Sequence, residues 1–290
     1  MIDYVSIVLL CASIILSTGR NVLSKSIADE RFGTRSFFGL QALIFFSGAL
    51  LLFVLGLSTS LHTSWQTVCF SVIYGVLLVS AQWNYTVALK NGKTGICSTV
   101  YSLGFIFPTI FGSFIFQESF GIVDGVGVLL VIPAIILTGT KKKNELGKTG
   151  RFFLPLIVAM LCSGGLGIMQ KVQQHSLHAD EKTSFMLIAF MIAGVISSMC
   201  FAFGRKNDES VLGRKAYLAM GVGLAFACCN LLNTILAGRL PSVVFFPILN
   251  VGTILCSLLL GIVLFKERLT KKDGVVFSLG ALSILLITIG

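Results

Sequence analysis

The residues of this chain that could do chemistry are polar side chains set at helical spacing inside long apolar runs. Ser13, Ser17, Arg20, Asn21 and Ser24 fall near i, i+4, i+7, i+8 and i+11, which is one face of a helix. In a membrane-spanning helix such a stripe must face protein or water. Arg20 has two readings: it binds an anionic or carboxylate-bearing group, or it snorkels from its helix to the lipid headgroups. Ser163, Gln170, Lys171 and Gln174 echo the stripe, and a shift of 146 residues places Ser17 on Ser163 and Lys25 on Lys171. Asn84 aligns with Asn233 under a shift of 149 residues, Asn230 shares a face with Asn233, and the same shift sets Tyr101 against Asn250. Taken singly, each of these reads first as a helix-to-helix hydrogen bond of about 1 kcal/mol or less. As a symmetric set they read as the lining of a substrate cavity. The substrate-binding candidates are therefore Ser17, Arg20, Asn21, Asn84, Tyr101, Gln170, Asn230, Asn233 and Asn250.

The acidic residues narrow the cargo. Asp3, Asp29, Glu30, Glu145, Asp180, Glu181, Asp208 and Glu209 lie in loops or at ends, and Glu118, Asp124, Glu267 and Asp273 flank helix junctions. None lies in the middle of an apolar run. A pump for lipophilic cations needs a buried carboxylate, so a neutral, zwitterionic or anionic molecule fits better. Glu118 and Glu267 read as structural, each accepting hydrogen bonds from the start of the following helix. Asp124 and Asp273 then sit near that helix's positive end. His175 and His178, beside Asp180 and Glu181, could bind a metal or sense pH, but a loop with no second pair of ligands reads as a solvated segment. HExxH, GxSxG and GxxxxGK[ST] patterns are absent, so neither catalysis, a metal nor a cofactor is expected.

The elements that must position these groups follow from composition. Of 290 residues, 55% are hydrophobic and only 12% charged, and the mean hydropathy is +0.93. An ordinary soluble domain carries about 25% charged residues. Apolar stretches recur at the length, about 20 residues, that a helix needs to cross a bilayer, and they lack the alternation of barrel strands. Helices are expected at about 4–27, 36–57, 65–90, 93–117, 121–139, 152–175, 183–203, 214–238, 241–265 and 272–289. The first run has no basic leader and no cleavage pattern, so it reads as a retained helix. The eight cysteines all fall in apolar runs without a CxxC pair and read as packing residues. The net charge of +10 is scattered through short gaps between the runs, which suits lipid headgroups and not nucleic acid.

The two halves look like copies. The 149-residue shift also carries Gly112 onto Gly261, Phe116 onto Phe265, Glu118 onto Glu267 and Asp124-Gly125-Val126 onto Asp273-Gly274-Val275. The organisation expected is a first five-helix repeat at 1–140, a basic linker at 141–151 and a second five-helix repeat at 152–290. Five is odd, so the second copy enters the membrane from the opposite side. Inverted repeats of this kind build secondary transporters, with the substrate near the midplane and access alternating. Eighteen Lys and Arg residues fall in gaps after odd-numbered helices, against Lys171, Lys182 and Arg239 on the other side. By the positive-inside rule both termini lie outside and the linker is cytoplasmic, in a protein of the plasma membrane.

Ten helices, the five-plus-five duplication and the Phe116-Gln117-Glu118 and Phe265-Lys266-Glu267 junctions resemble the EamA-like transporter family of the drug/metabolite transporter superfamily. The resemblance covers nearly the whole chain. It implies an all-α integral membrane fold of two inverted five-helix repeats, a small-molecule substrate, helices 5 and 10 at the periphery and a site among helices 1, 3, 4, 6, 8 and 9. Members usually begin with a basic amino terminus and place both termini in the cytoplasm. This chain begins Met1-Ile2-Asp3-Tyr4 and its charges argue the reverse. A passive channel or lipid-linked-sugar flippase on the same scaffold, and an accessory subunit with no transport cycle, remain as alternatives; homodimerisation is left open.

Overall fold

The structure, a computed structural model, describes residues 3–27, 33–58, 61–91, 100–118, 121–139, 153–204, 212–265 and 271–289. Within them the chain forms ten helices: α1 (Tyr4–Ile27), α2 (Thr34–Leu57), α3 (Trp65–Asn91), α4 (Val100–Ile115), α5 (Ile122–Gly139), α6 (Phe153–Gln174), α7 (Lys182–Phe203), α8 (Leu212–Arg239), α9 (Ser242–Phe265) and α10 (Lys271–Ile289). Among the described residues there is no strand. Among the described residues five stretches are long and apolar enough to cross a bilayer: Thr34–Leu57, Trp65–Ala88, Phe153–Gln174, Ala179–Phe203 and Lys215–Arg239. Their outward faces are apolar at helical spacing, as with Leu50, Phe53, Val54 and Leu57 on α2 or Met191, Val195 and Met199 on α7. A continuous apolar surface of this kind is stable against acyl chains and not against water.

α4 departs from the uninterrupted helix expected over 93–117. It tightens into a 3-10 turn at Leu103–Phe105. Pro108 supplies the reason, because it has no N–H for the carbonyl four residues back, that of Gly104. α6 approaches closely here: a Cβ on Gly164 would stand 2.9 Å from the Gly104 oxygen.

Two compact units form, and each takes elements from both sequence halves. The first comprises Asp3–Val79 and Val172–Gly238; the second comprises Ser80–Lys171 and Arg239–Gly290, with Met1–Ile2. In the first unit α2 packs along α7. Phe45, Phe190 and Phe226, from α2, α7 and α8, meet with ring centroids 5.5–6.2 Å apart. Each such pair contributes about 0.5–1.5 kcal/mol beyond the area it covers. Hydroxyls tie α2 to α8 and α3 to α7: Ser47 Oγ donates to the Met220 carbonyl (3.2 Å) and Ser71 Oγ to the Phe185 carbonyl (3.0 Å). In the second unit α5 packs on α10, where Ser283 Oγ donates to the Gly127 carbonyl at 2.8 Å, and α9 contacts α4, α5 and α10.

Candidate functional site

In the first unit α1 and α8 run antiparallel along a polar seam. Ser13 Oγ donates to Asn233 Oδ1, Ser17 Oγ lies 2.8 Å from Cys229 Sγ, and the Arg20 guanidinium carbon sits 4.7 Å from the centroid of the Phe226 ring. Residues 13, 17 and 20 ascend as 233, 229 and 226 descend, so the seam covers two turns of each helix, about 10 Å. Arg20 is turned onto α8, where the ring face offers the cation an attraction of about 0.5–2 kcal/mol. α3 joins through Tyr74, whose hydroxyl donates to Asn230 Oδ1 at 2.7 Å; Asn230 Nδ2 donates to the Phe226 carbonyl at 2.8 Å. Ser17, Arg20, Asn230 and Asn233 are thus brought together. The side chain of Asn21 lies outside those described.

The remaining candidates belong to the second unit. Asn84 Nδ2 donates to the Ser80 carbonyl at 2.9 Å and Asn250 Nδ2 to the Phe246 carbonyl at 2.8 Å, each four residues back along its own helix. Tyr101 packs on Tyr85 with ring centroids 4.6 Å apart, and Gln170 is buried on α6. Asn84 and Asn233, 149 residues apart, therefore differ in their partners: one binds its own backbone, the other a serine of a neighbouring helix.

A second polar centre lies wholly in this unit. The Lys171 ammonium pairs with Glu118 and donates to the Leu240 carbonyl at 2.8 Å; Glu118 Oε2 accepts the Ser242 N–H at 2.6 Å. Lys171 is 2% exposed and Glu118 12%. The backbone aims the carboxylate: α4 stops at Ile115, the Phe116 N–H closes on the Gly112 carbonyl at 3.1 Å, and Gln117 takes a left-handed φ of 52°. That conformation costs a non-glycine residue about 1–2 kcal/mol, so the surrounding contacts must hold it. Gly112 is required by space, since a Cβ there would overlap the Ser242 side chain.

This corrects two expectations. Among the described residues Glu118 caps α9, which begins 124 residues away, and not the helix that follows it; Asp124 performs the local service, with its Oδ2 accepting the Gly121 N–H at 2.9 Å. Lys171 is no headgroup-facing charge and leaves the tally that contained it. Glu267 and the side chain of Asp273 lie outside those described. In the segment with His175 and His178, His175 and Asp180 are exposed, and burial begins at its end. Glu181 is 8% exposed, and its Oε2 accepts both the N–H and the hydroxyl of Ser64 at 2.8 Å, fastening the start of α3. Sequence reasoning missed Tyr74, Cys229 and the Lys171 pairing. The available signal for Lys171 was a lone cation inside the last turn of an apolar helix.

One solved structure, a crystal structure described only as that of a protein, superposes with a TM-score of 0.79 over 99% of this chain and 97% of its own at 15% identity. That likeness concerns the fold alone. A comparison with curated proteins finds no match. The sequence profile of the EamA-like transporter family matches residues 151–289. The second half of the chain is thus similar to the EamA-like transporter family, within a helical architecture that has several stretches long and apolar enough to cross a bilayer.

Proposed function

We propose that the protein carries a small neutral, zwitterionic or anionic metabolite across the plasma membrane by alternating access between two inverted five-helix repeats. The observation that carries this reading is the α1–α8 seam, where Arg20 is held over Phe226 beside Ser17, Asn230 and Asn233. A guanidinium at this position, stacked on a ring, presents a flat fork of donors to a carboxylate or phosphate. Hydroxyl and amide groups one and two turns away offer donors and acceptors to a polar body. The profile match supports the repeat, since it spans residues 151–289 and so coincides with one five-helix unit of the expected duplication. The charge distribution supports a cytoplasmic linker and external termini, which reporter fusions at Gly290 would test. The chain acts without cofactor or catalytic group, alone or as a homodimer.

The test is a thermal-shift screen of purified protein against amino acids, nucleotide sugars, purines and amines, followed by counterflow in proteoliposomes. A ligand that raises the melting temperature and exchanges saturably is expected. Arg20→Gln should lower affinity for an anionic or zwitterionic ligand about tenfold to a hundredfold, the value of one charge-assisted pair, while leaving the fold intact. Unchanged affinity in that variant would remove Arg20 from the site; non-saturable flux would replace the carrier with a channel.

A further inference from the structure

Glu118 and Lys171 join the two sequence halves. The carboxylate follows α4 of the first, whereas the ammonium, the Leu240 carbonyl and the Ser242 N–H belong to the second. The proposed substrate seam on α1 and α8 makes no use of them, although both charges are withdrawn from solvent at these helix ends, 2% and 12% exposed. We infer that the Glu118–Lys171 pair is a latch of the transport cycle, made in the state described here and broken in the state that admits water to the beginning of α9.

The pair's energetics suit that role. A buried ion pair gains little net stability, because its attraction is nearly offset by the hydration both charges gave up. Letting water in returns that hydration, so the pair can be exchanged for two solvated charges at small net cost. Removing one member while water stays out is expensive, so a half-open arrangement is disfavoured and the contact behaves as two-state. The packing is equally all-or-none. Ser242 is fully buried, its hydroxyl has no partner among the described residues, and Gly112 faces it with no room for a Cβ.

The inference rests on the alternating-access reading, and one experiment separates the two. Ser242→Cys is placed in the full-length protein in proteoliposomes and exposed to a membrane-impermeant maleimide, with modification of the peptide carrying residue 242 read by mass spectrometry. Slow, measurable labelling is expected, accelerated at least about tenfold by Glu118→Gln or Lys171→Gln and held near the parent rate by Lys171→Arg, which keeps the charge. Glu181→Gln, which weakens the Ser64 contacts away from this cluster, should leave labelling at the parent rate; acceleration there too would mean general loosening and overturn the latch. A parent rate unaltered by Glu118→Gln overturns the latch and leaves alternating access standing. Residue 242 unreactive in every folded variant likewise overturns the latch, while alternating access stands or falls on counterflow. If a single neutral variant fails to fold, Glu118→Gln/Lys171→Gln, which strands no charge, takes its place with the same expected acceleration.

Discussion

Glu118→Leu should destabilise the protein more than Lys171→Met, although each deletes one member of the same pair. With Glu118 gone, the ammonium left behind is the deeper group, 2% exposed, and keeps a neutral acceptor in the Leu240 carbonyl but has lost the carboxylate that neutralises it. Stranding a buried charge in this way costs about 3–5 kcal/mol. With Lys171 gone, the carboxylate left behind is 12% exposed and still accepts the Ser242 N–H at the first turn of α9. A charge-assisted hydrogen bond is worth about 1.5–3 kcal/mol and the positive end of a helix about 0.3–1, so the expected loss is only about 1–3 kcal/mol. The double variant strands nothing and should lie within about 1–2 kcal/mol of the parent, giving a coupling of about 4–5 kcal/mol. Unfolding by sodium dodecyl sulfate in mixed micelles, followed through Trp65 and Trp83, measures all four corners of the cycle. Equal losses in the two single variants, or a coupling under about 0.5 kcal/mol, would refute the assignment of burial and partners from which these magnitudes were worked.

Three further outcomes are expected. Tyr74→Phe leaves Asn230 Oδ1 without its donor in a buried position and should cost about 1–3 kcal/mol in the same unfolding assay. Glu181→Ala removes both acceptor contacts to Ser64 and should lower stability by about 1–2 kcal/mol, with hydrogen exchange rising first in the opening turn of α3. Gln117→Gly relieves the left-handed backbone and should be neutral or stabilising by up to about 1 kcal/mol, whereas Gln117→Val should destabilise by more than that.

The helices were legible in the sequence to within a few residues because a bilayer demands long apolar runs and punishes polar ones. α1 at Tyr4–Ile27 and α9 at Ser242–Phe265 needed no knowledge of neighbours. Face arithmetic also found Ser17, Arg20, Asn230 and Asn233, since residues spaced by three or four share a side. It could not say what each face meets. Glu118 and Lys171 were both noticed, but nothing local couples residues 53 positions apart, so one was assigned to its following helix and the other to the headgroups. Cys229 read as packing and Tyr74 gave no signal because, inside an apolar run, a tyrosine or thiol is apolar by default until a partner appears. The 3-10 break in α4 was readable from Pro108 and was overridden by the length of the apolar run.

The Glu118 cluster also bears on how this sequence can drift. Leu240 contributes only a carbonyl and Ser242 only an N–H, which every residue offers at the first position and every residue except proline at the second. The Ser242 hydroxyl bonds nothing among the described residues, so alanine would serve there as well, while the gap beside Gly112 caps the volume allowed. Identity at this junction is demanded of the two charged residues and of one glycine. Two chains could therefore share the same device and display little else in common around it.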